Sequence, residues 1–256
     1  MNQDTIDDYT KAVIPRWNEV NAKLKQAAVD CERDSGTINV VGVTKRHPVE
    51  IIIAAYNAGV VKIGESFIQE AEEKRPVVDE YLKAKGVNPP SLQWHMIGKL
   101  QSNKAAKAVE LFDVIESVDS VKLAKRLSRL AVEQSKTLKI FIELNISGEA
   151  NKSGFEMPTM SAADILPVLA EVCELPALQV MGLMAIGPLT DDTERISKAF
   201  GAVREILAEI HESHPSLAIG NELSMGMSDD FLLAIAAGST MVRIGTAIFG
   251  SRPAMV

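Results

Sequence analysis

The sequence has little cysteine. Its 256 residues hold two, Cys31 and Cys173, with no CxxC pair and no neighbouring His cluster, which argues against a zinc site or a disulfide scaffold and for a reducing cytosol. It also lacks a long apolar run. The longest uncharged stretch, Leu175 to Thr190, has 16 residues and includes Pro176 and Pro188, whereas a membrane span needs about 20 apolar residues. Basic tracts are missing too: Lys+Arg number 27 against 34 Asp+Glu, for a net charge of −7. Nonspecific nucleic-acid or anionic-membrane binding is therefore not expected. Asp4, Asp7 and Asp8 occupy the N-terminal stretch where an export signal would carry positive charge. Together these absences predict a soluble cytoplasmic chain.

What is present is apolar residue in quantity, 46% of the chain, enough to offset the entropy of ordering a core. From Asn39 onward, short β-branched runs alternate with longer amphipathic stretches. The spacing predicts eight strands: Asn39 to Thr44, Val60 to Gly64, Gln93 to Ile97, Val114 to Val118, Lys139 to Ile146, Gln179 to Ala185, Glu222 to Met225 and Met241 to Ile244. Between them run helical stripes such as Val121, Ala124, Leu127 and Ala131 after a Ser120 cap, and Ile196, Phe200, Val203, Leu207 and Ile210. Strands alternating with helices pair in parallel, and eight such units predict a closed (β/α)8 TIM-type barrel. An open doubly wound sheet is the runner-up, but Thr44-Lys45-Arg46-His47-Pro48 stands where its GxGxxG turn belongs. The chain reads as a single domain over 1–256, with an N-terminal helical segment at 1–38 and the barrel at 39–252. In that segment a stripe from Ile6 to Cys31 spans Pro15, which predicts either a break there or a second helix beginning at Pro15. Its expected role is to flank the barrel.

In a parallel barrel the chemistry gathers at the carboxyl ends of the strands. Lys45 follows the first of them, where desolvation lowers an ammonium's pKa and frees the amine to condense with an aldehyde. Small residues after the last two strands, among them Ser224, Gly245 and Thr246, suit a phosphate cup. Arg243, between Val242 and Ile244, is costly to bury without an acceptor and so should face a ligand or a carboxylate. A lysine, a phosphate cup and a buried arginine suggest a phosphorylated aldehyde held as a Schiff base. Pyridoxal 5′-phosphate fits, and so does a phosphosugar on a Schiff-base aldolase; spacing leaves the two open.

Separated motifs then carry a resemblance: Val43-Thr44-Lys45, Gly64-Glu65-Ser66-Phe67-Ile68-Gln69-Glu70, His95 to Lys104, Asn145-Ile146-Ser147, Lys152-Ser153-Gly154, Gly182-Leu183-Met184, Leu223 to Asp229 and Gly238 to Gly250. In this order they resemble the pyridoxal phosphate homeostasis proteins. The resemblance implies the barrel of the alanine racemase N-terminal domain, a fold type III arrangement. It also implies pyridoxal 5′-phosphate as cofactor, with Lys45 as the Schiff-base lysine, Arg243 facing the pyridine nitrogen, and Ser224, Gly245 and Thr246 at the phosphate. The family usually has Asn where this chain has Ser66, so a cofactor contact at Ser66 is open: either a water bridges in place of the amide or the cofactor is held less tightly. His95, between Trp94 and Met96, reads as a structural histidine. Lys99, Lys104 and Lys107 read as a solvated basic face, and Lys152 as a loop residue, part of a lid or merely solvated.

The racemases that share this barrel add a C-terminal β domain and a tyrosine base. Here six residues follow Gly250, and the tyrosines, Tyr9, Tyr56 and Tyr81, fall in helical segments. Two-base racemization needs groups on both cofactor faces. The expected function is therefore that of a monomeric carrier and regulator of vitamin B6 supply without strong catalysis, handing the cofactor on to apo-enzymes that require it. A weak racemase or decarboxylase acting on amino acids is the alternative.

Overall fold

The computed structural model describes residues 2–87, 91–147 and 153–252. Its strands are β1 (Asn39–Val43), β2 (Lys62–Glu65), β3 (Gln93–Met96), β4 (Val114–Val118), β5 (Leu138–Asn145), β6 (Phe155–Glu156), β7 (Leu178–Ala185), β8 (Ile219–Ser224) and β9 (Met241–Ile244). They pair in parallel in the order β4-β3-β2-β1-β9-β8-β7-β5, and a β4–β5 pairing closes the ring. The result is the eight-stranded barrel that the alternation predicts; β6 is a two-residue addition on the outer end of β5.

The helices are α1 (Gln3–Asp30), α2 (Val49–Asn57), α3 (Ile68–Ala84), α4 (Ala105–Leu111), α5 (Val121–Glu133), α6 (Ala162–Val172), α7 (Thr193–Ser213), α8 (Phe231–Ala236) and α9 (Thr246–Phe249). Ser120 caps α5, accepting the Leu123 amide at 3.3 Å. The predicted stripe of α7 is buried from Ile196 to Ile210, each side chain contributing about 1.5–3 kcal/mol of transfer free energy. None of the described helices is long and apolar enough to cross a membrane.

Three local expectations are corrected. Helix α1 neither breaks nor restarts at Pro15 but runs unbroken through it, because Pro15 lies on the exposed face while Val13, Val20, Leu24 and Ala28 pack inward. Strand β2 starts at Lys62 rather than Val60, since the Val60 amide closes α2 by bonding the Ala55 carbonyl at 2.9 Å after Gly59 turns with φ +95°. Strand β8 begins at Ile219, three residues before the predicted start, and ends at Ser224.

Residues on each strand alternate between the helices and the barrel interior. Val41, Val114, Phe141, Met184 and Met241 meet inside as an apolar plug, whereas Ile63, Ile115, Ile140 and Leu183 pack outward against the helices. Arg243 lies two residues beyond Met241 on β9, Glu116 two beyond Val114 on β4, and Glu143 two beyond Phe141 on β5. The layer above the plug is therefore polar and charged, and it forms the floor of the carboxyl-end mouth.

Candidate cofactor site

Lys45 continues the inward series Val41, Val43, one step past the end of β1. Both of its neighbours are fastened to α3. Thr44 faces outward, its hydroxyl donating to Glu65 Oε1 at 2.7 Å and its carbonyl accepting Lys74 Nζ at 3.2 Å. The Arg46 amide donates to Glu70 Oε2 at 2.7 Å from a left-handed backbone, φ +63°. With its flanks held on the outside, Lys45 is turned to the mouth. It is half-buried and has no hydrogen bond or ion pair among the described residues. Desolvation, followed by the charges of Arg252, Arg46 and Arg243, lowers its pKa from the ordinary lysine value against a smaller opposing pull from Glu65. The ammonium form is less favoured there than on a solvated lysine.

Arg243, 4% exposed, donates from Nη1 to the Ser224 carbonyl at 2.7 Å and the Ser224 hydroxyl at 2.6 Å, and from Nη2 to the Ala185 carbonyl at 2.9 Å. A guanidinium has five N–H donors, so Nε–H and one Nη2–H remain without a partner among the described residues. The Ser224 hydroxyl donates in turn to Glu116 Oε2 at 2.6 Å. Fully buried and engaged on both sides, the Ser224 hydroxyl ties Arg243 to Glu116.

A candidate for the expected cup lies one turn later. The Gly245 and Ala247 amides converge on Ser228 Oγ at 3.3 and 3.4 Å, and Thr246 lies exposed between them. A methyl at Gly245 would come within 3.4 Å of the Val43 carbonyl, so the cup abuts the strand that carries Lys45. Ser228 follows β8 in the sequence but is not singled out there as a phosphate contact, as Ser224 is. Its signal was available in the spacing, because Gly226, with φ +94°, must turn the chain before any hydroxyl after β8 can face the amides after β9.

Ser66 lines a cleft of about 470 Å³ with Phe67, Met96, Lys99 and Lys104, and its backbone is pressed against Gly98. Lys107 is removed from the predicted basic group by ion pairs to Glu72 and Glu110, each at 3.1 Å. His95 is buried and bonded at both ring nitrogens, to Glu116 Oε1 at 2.6 Å and Gln93 Oε1 at 3.0 Å, as a structural histidine should be. Asn145 Oδ1 accepts both the amide and the hydroxyl of Ser147. Lys152 lies outside the described residues. Tyr9, Tyr56 and Tyr81 sit on α1, α2 and α3, outside the barrel. No group of His, Cys, Asp and Glu among the described residues could hold a metal ion.

The family model described as alanine racemase, N-terminal domain, matches residues 32–253. A pyridoxal phosphate homeostasis protein of Haemophilus influenzae is 38% identical over 235 residues, covering 92% of this chain and 94% of that one. Its counterpart in Escherichia coli K12 is 37% identical over 234 residues, covering 91% and 94%. Among solved structures, PipY of Synechococcus elongatus with PLP bound superposes with a TM-score of 0.74 at 36% identity, covering 89% of this chain and all of that one. An alanine racemase of Clostridium difficile superposes at 0.68 with 15% identity over 95% of this chain and 58% of that one, a likeness of fold alone. The mouth that joins a desolvated lysine, a buried arginine and a pair of converging amides thus has relatives of the same length and architecture, and the chain belongs to the pyridoxal phosphate homeostasis proteins within the alanine racemase N-terminal-domain family.

Proposed function

We propose that this chain binds pyridoxal 5′-phosphate through Lys45 and serves in intracellular vitamin B6 supply as a carrier rather than a strong catalyst. The observation that carries the reading is Lys45 itself, a partly desolvated lysine with no ion pair among the described residues, near the Gly245 and Ala247 amides that converge on Ser228 Oγ. The donor set fits the group. Gly245 and Ala247 offer N–H groups to a phosphate, the Ser228 hydroxyl retains its proton to donate, and Thr246 adds an exposed hydroxyl at the rim. Arg243 retains two N–H donors for a ring nitrogen. When bound, the cofactor supplies an aldehyde that a neutral amine holds covalently with loss of one water, and an electron-withdrawing ring.

The carrier reading rests on Arg243. A guanidinium keeps its proton, so it donates to a pyridine nitrogen without protonating it, and an unprotonated ring is a weak electron sink. Among the described residues no tyrosine stands at the mouth to act as a base, which counts against the racemase-like alternative. Delivery to apo-enzymes that require the cofactor, by a monomer in the cytoplasm, completes the proposal.

The test is borohydride reduction of the chain after incubation with pyridoxal 5′-phosphate, followed by peptide mass analysis. A pyridoxyl adduct is expected on Lys45 and lost in Lys45→Ala, with the folded state unaffected. A wild-type protein that stays colourless and unmodified defeats the reading. Mixing loaded protein with a cofactor-free aminotransferase tests delivery: recovery of aminotransferase activity supports it, and none in excess carrier overturns it.

A further inference from the structure

Inside the barrel, a row of polar side chains crosses the interior from the amino end to the mouth. Gln93 and His95 lie on β3, Glu116 on β4, Ser224 on β8 and Arg243 on β9. His95 is 1% exposed, Arg243 4%, and Glu116 and Ser224 are fully buried. Glu116 stands at the centre. Its Oε1 accepts from His95 Nδ1 at 2.6 Å, its Oε2 accepts from the Ser224 hydroxyl at 2.6 Å, and Arg243 Nη1 lies 3.7 Å from Oε2. Burial by itself raises the Glu116 pKa, but the His95 hydrogen bond and charge, the Arg243 charge and the Ser224 hydroxyl outweigh it and leave the carboxyl below its ordinary value. An ionised Glu116 requires the His95 proton on Nδ1. Gln93 then meets Nε2 with its amide nitrogen if the ring is neutral, or with its oxygen if the ring is charged.

Among the described residues Glu116 is the only carboxylate within 4 Å of Arg243. A buried guanidinium deprived of its counter-charge is costly and finds other rotamers. Ser224 joins the two by accepting from one and donating to the other, which fixes their relative orientation. Glu116 and His95 have no place in the cup and do not reach Lys45, so neither is needed to capture an aldehyde. What they share is Arg243.

Building on the cofactor reading above, we propose that His95 and Glu116 are positioning residues that supply the counter-charge of Arg243 and hold its free N–H donors toward the ring of the bound cofactor. The ring nitrogen thereby meets a neutralised, immobile donor instead of a bare and mobile cation.

The experiment compares wild type, E116Q and S224A, first without cofactor by ¹H–¹⁵N NMR of the arginine side chains, with Arg243 assigned by its loss in R243K. Wild type is expected to show slowly exchanging Arg243 N–H signals, and E116Q to lose or shift them. With cofactor added, E116Q is expected to form the reducible Lys45 adduct but to bind about tenfold more weakly and with an altered visible spectrum. S224A, a small change that spares the fold, moves in the same direction by about threefold and decides the matter if E116Q fails to fold. Arg243 signals and an affinity within about twofold of wild type in the folded variants overturn the proposal. A wild type that takes up no cofactor defeats the function proposed above instead, and the cofactor-free spectra still decide whether His95 and Glu116 hold Arg243.

Discussion

The Lys74 ammonium donates to Glu65 Oε1 at 2.9 Å inside the barrel wall, directly behind the residue that precedes Lys45. Glu65 is fully buried, and its other oxygen, Oε2, has no hydrogen-bond partner among the described residues. Burial raises its pKa from 4.5 to about 7, against the opposing pull of Lys74 and the Thr44 hydroxyl.

A raised carboxyl pKa makes the folded state the tighter proton binder, so its contribution is complete below the unfolded value and is lost as pH rises through about 7. The shift corresponds to roughly 3 kcal/mol. Glu65→Gln keeps an oxygen for Thr44 and Lys74 and places an amide at Oε2. Chemical denaturation from pH 5 to 8 should show wild type losing stability and E65Q losing distinctly less. Parallel curves for the two proteins would refute the assignment to Glu65.

How far this arrangement could be read in advance depends on its reach along the chain. Eight strands were legible because each β-branched run is flanked by its own turn residues, and Lys45 and Arg243 followed from their places at strand ends. The pairing of Glu65 with Lys74, and of His95 with Glu116, was not. Both depend on which face a residue presents after the barrel closes, and a bulge between Ile115 and Val118 shifts that face in β4. Ser224 and Ser228 differ by one turn at a glycine with positive φ, so the same motif places one hydroxyl below the arginine and the other at the cup. Pro15 misled because interior proline costs a helix one i→i−4 bond and a ring clash, and the packing of Val13, Val20, Leu24 and Ala28 holds α1 together in spite of it.

Ser228 and Ser224 are separable by comparing ligands with and without phosphate. If Ser228 serves the cup, Ser228→Ala should weaken pyridoxal 5′-phosphate by about tenfold and leave pyridoxal nearly untouched. Ser224→Ala acts through Arg243 at the ring and should weaken both alike. Equilibrium dialysis of the four pairs checks this, and a loss of phosphate preference in Ser224→Ala alone would reverse the two roles.

Gly98 holds the loops after β2 and β3 together. A methyl there would meet the Ser66 carbonyl at 2.5 Å and its Cα at 2.7 Å, both backbone atoms that cannot swing aside. Gly98→Ala should cost about 1–3 kcal/mol in urea unfolding, with the displaced Ser66 loop opening the adjoining cleft. Full stability would show that the two loops move apart freely.

Pro15 gives the opposite sign. It sits in the middle of α1, lacks the N–H that would bond the Lys11 carbonyl, and lies exposed at a point where its ring touches no core residue by necessity. In a helix interior proline is about 3 kcal/mol less favourable than alanine. Water at the open carbonyl, and the loss of proline's restriction on the unfolded chain, offset part of that difference. Pro15→Ala should therefore raise the stability of the chain by about 1–2 kcal/mol without changing cofactor affinity, since α1 packs against α2, α8 and α9 from behind rather than at the mouth. Thermal unfolding of the two proteins, each with a cofactor titration, measures both halves. A fall in stability would mean that Pro15 itself helps to seat Val13 and Val20 against the barrel.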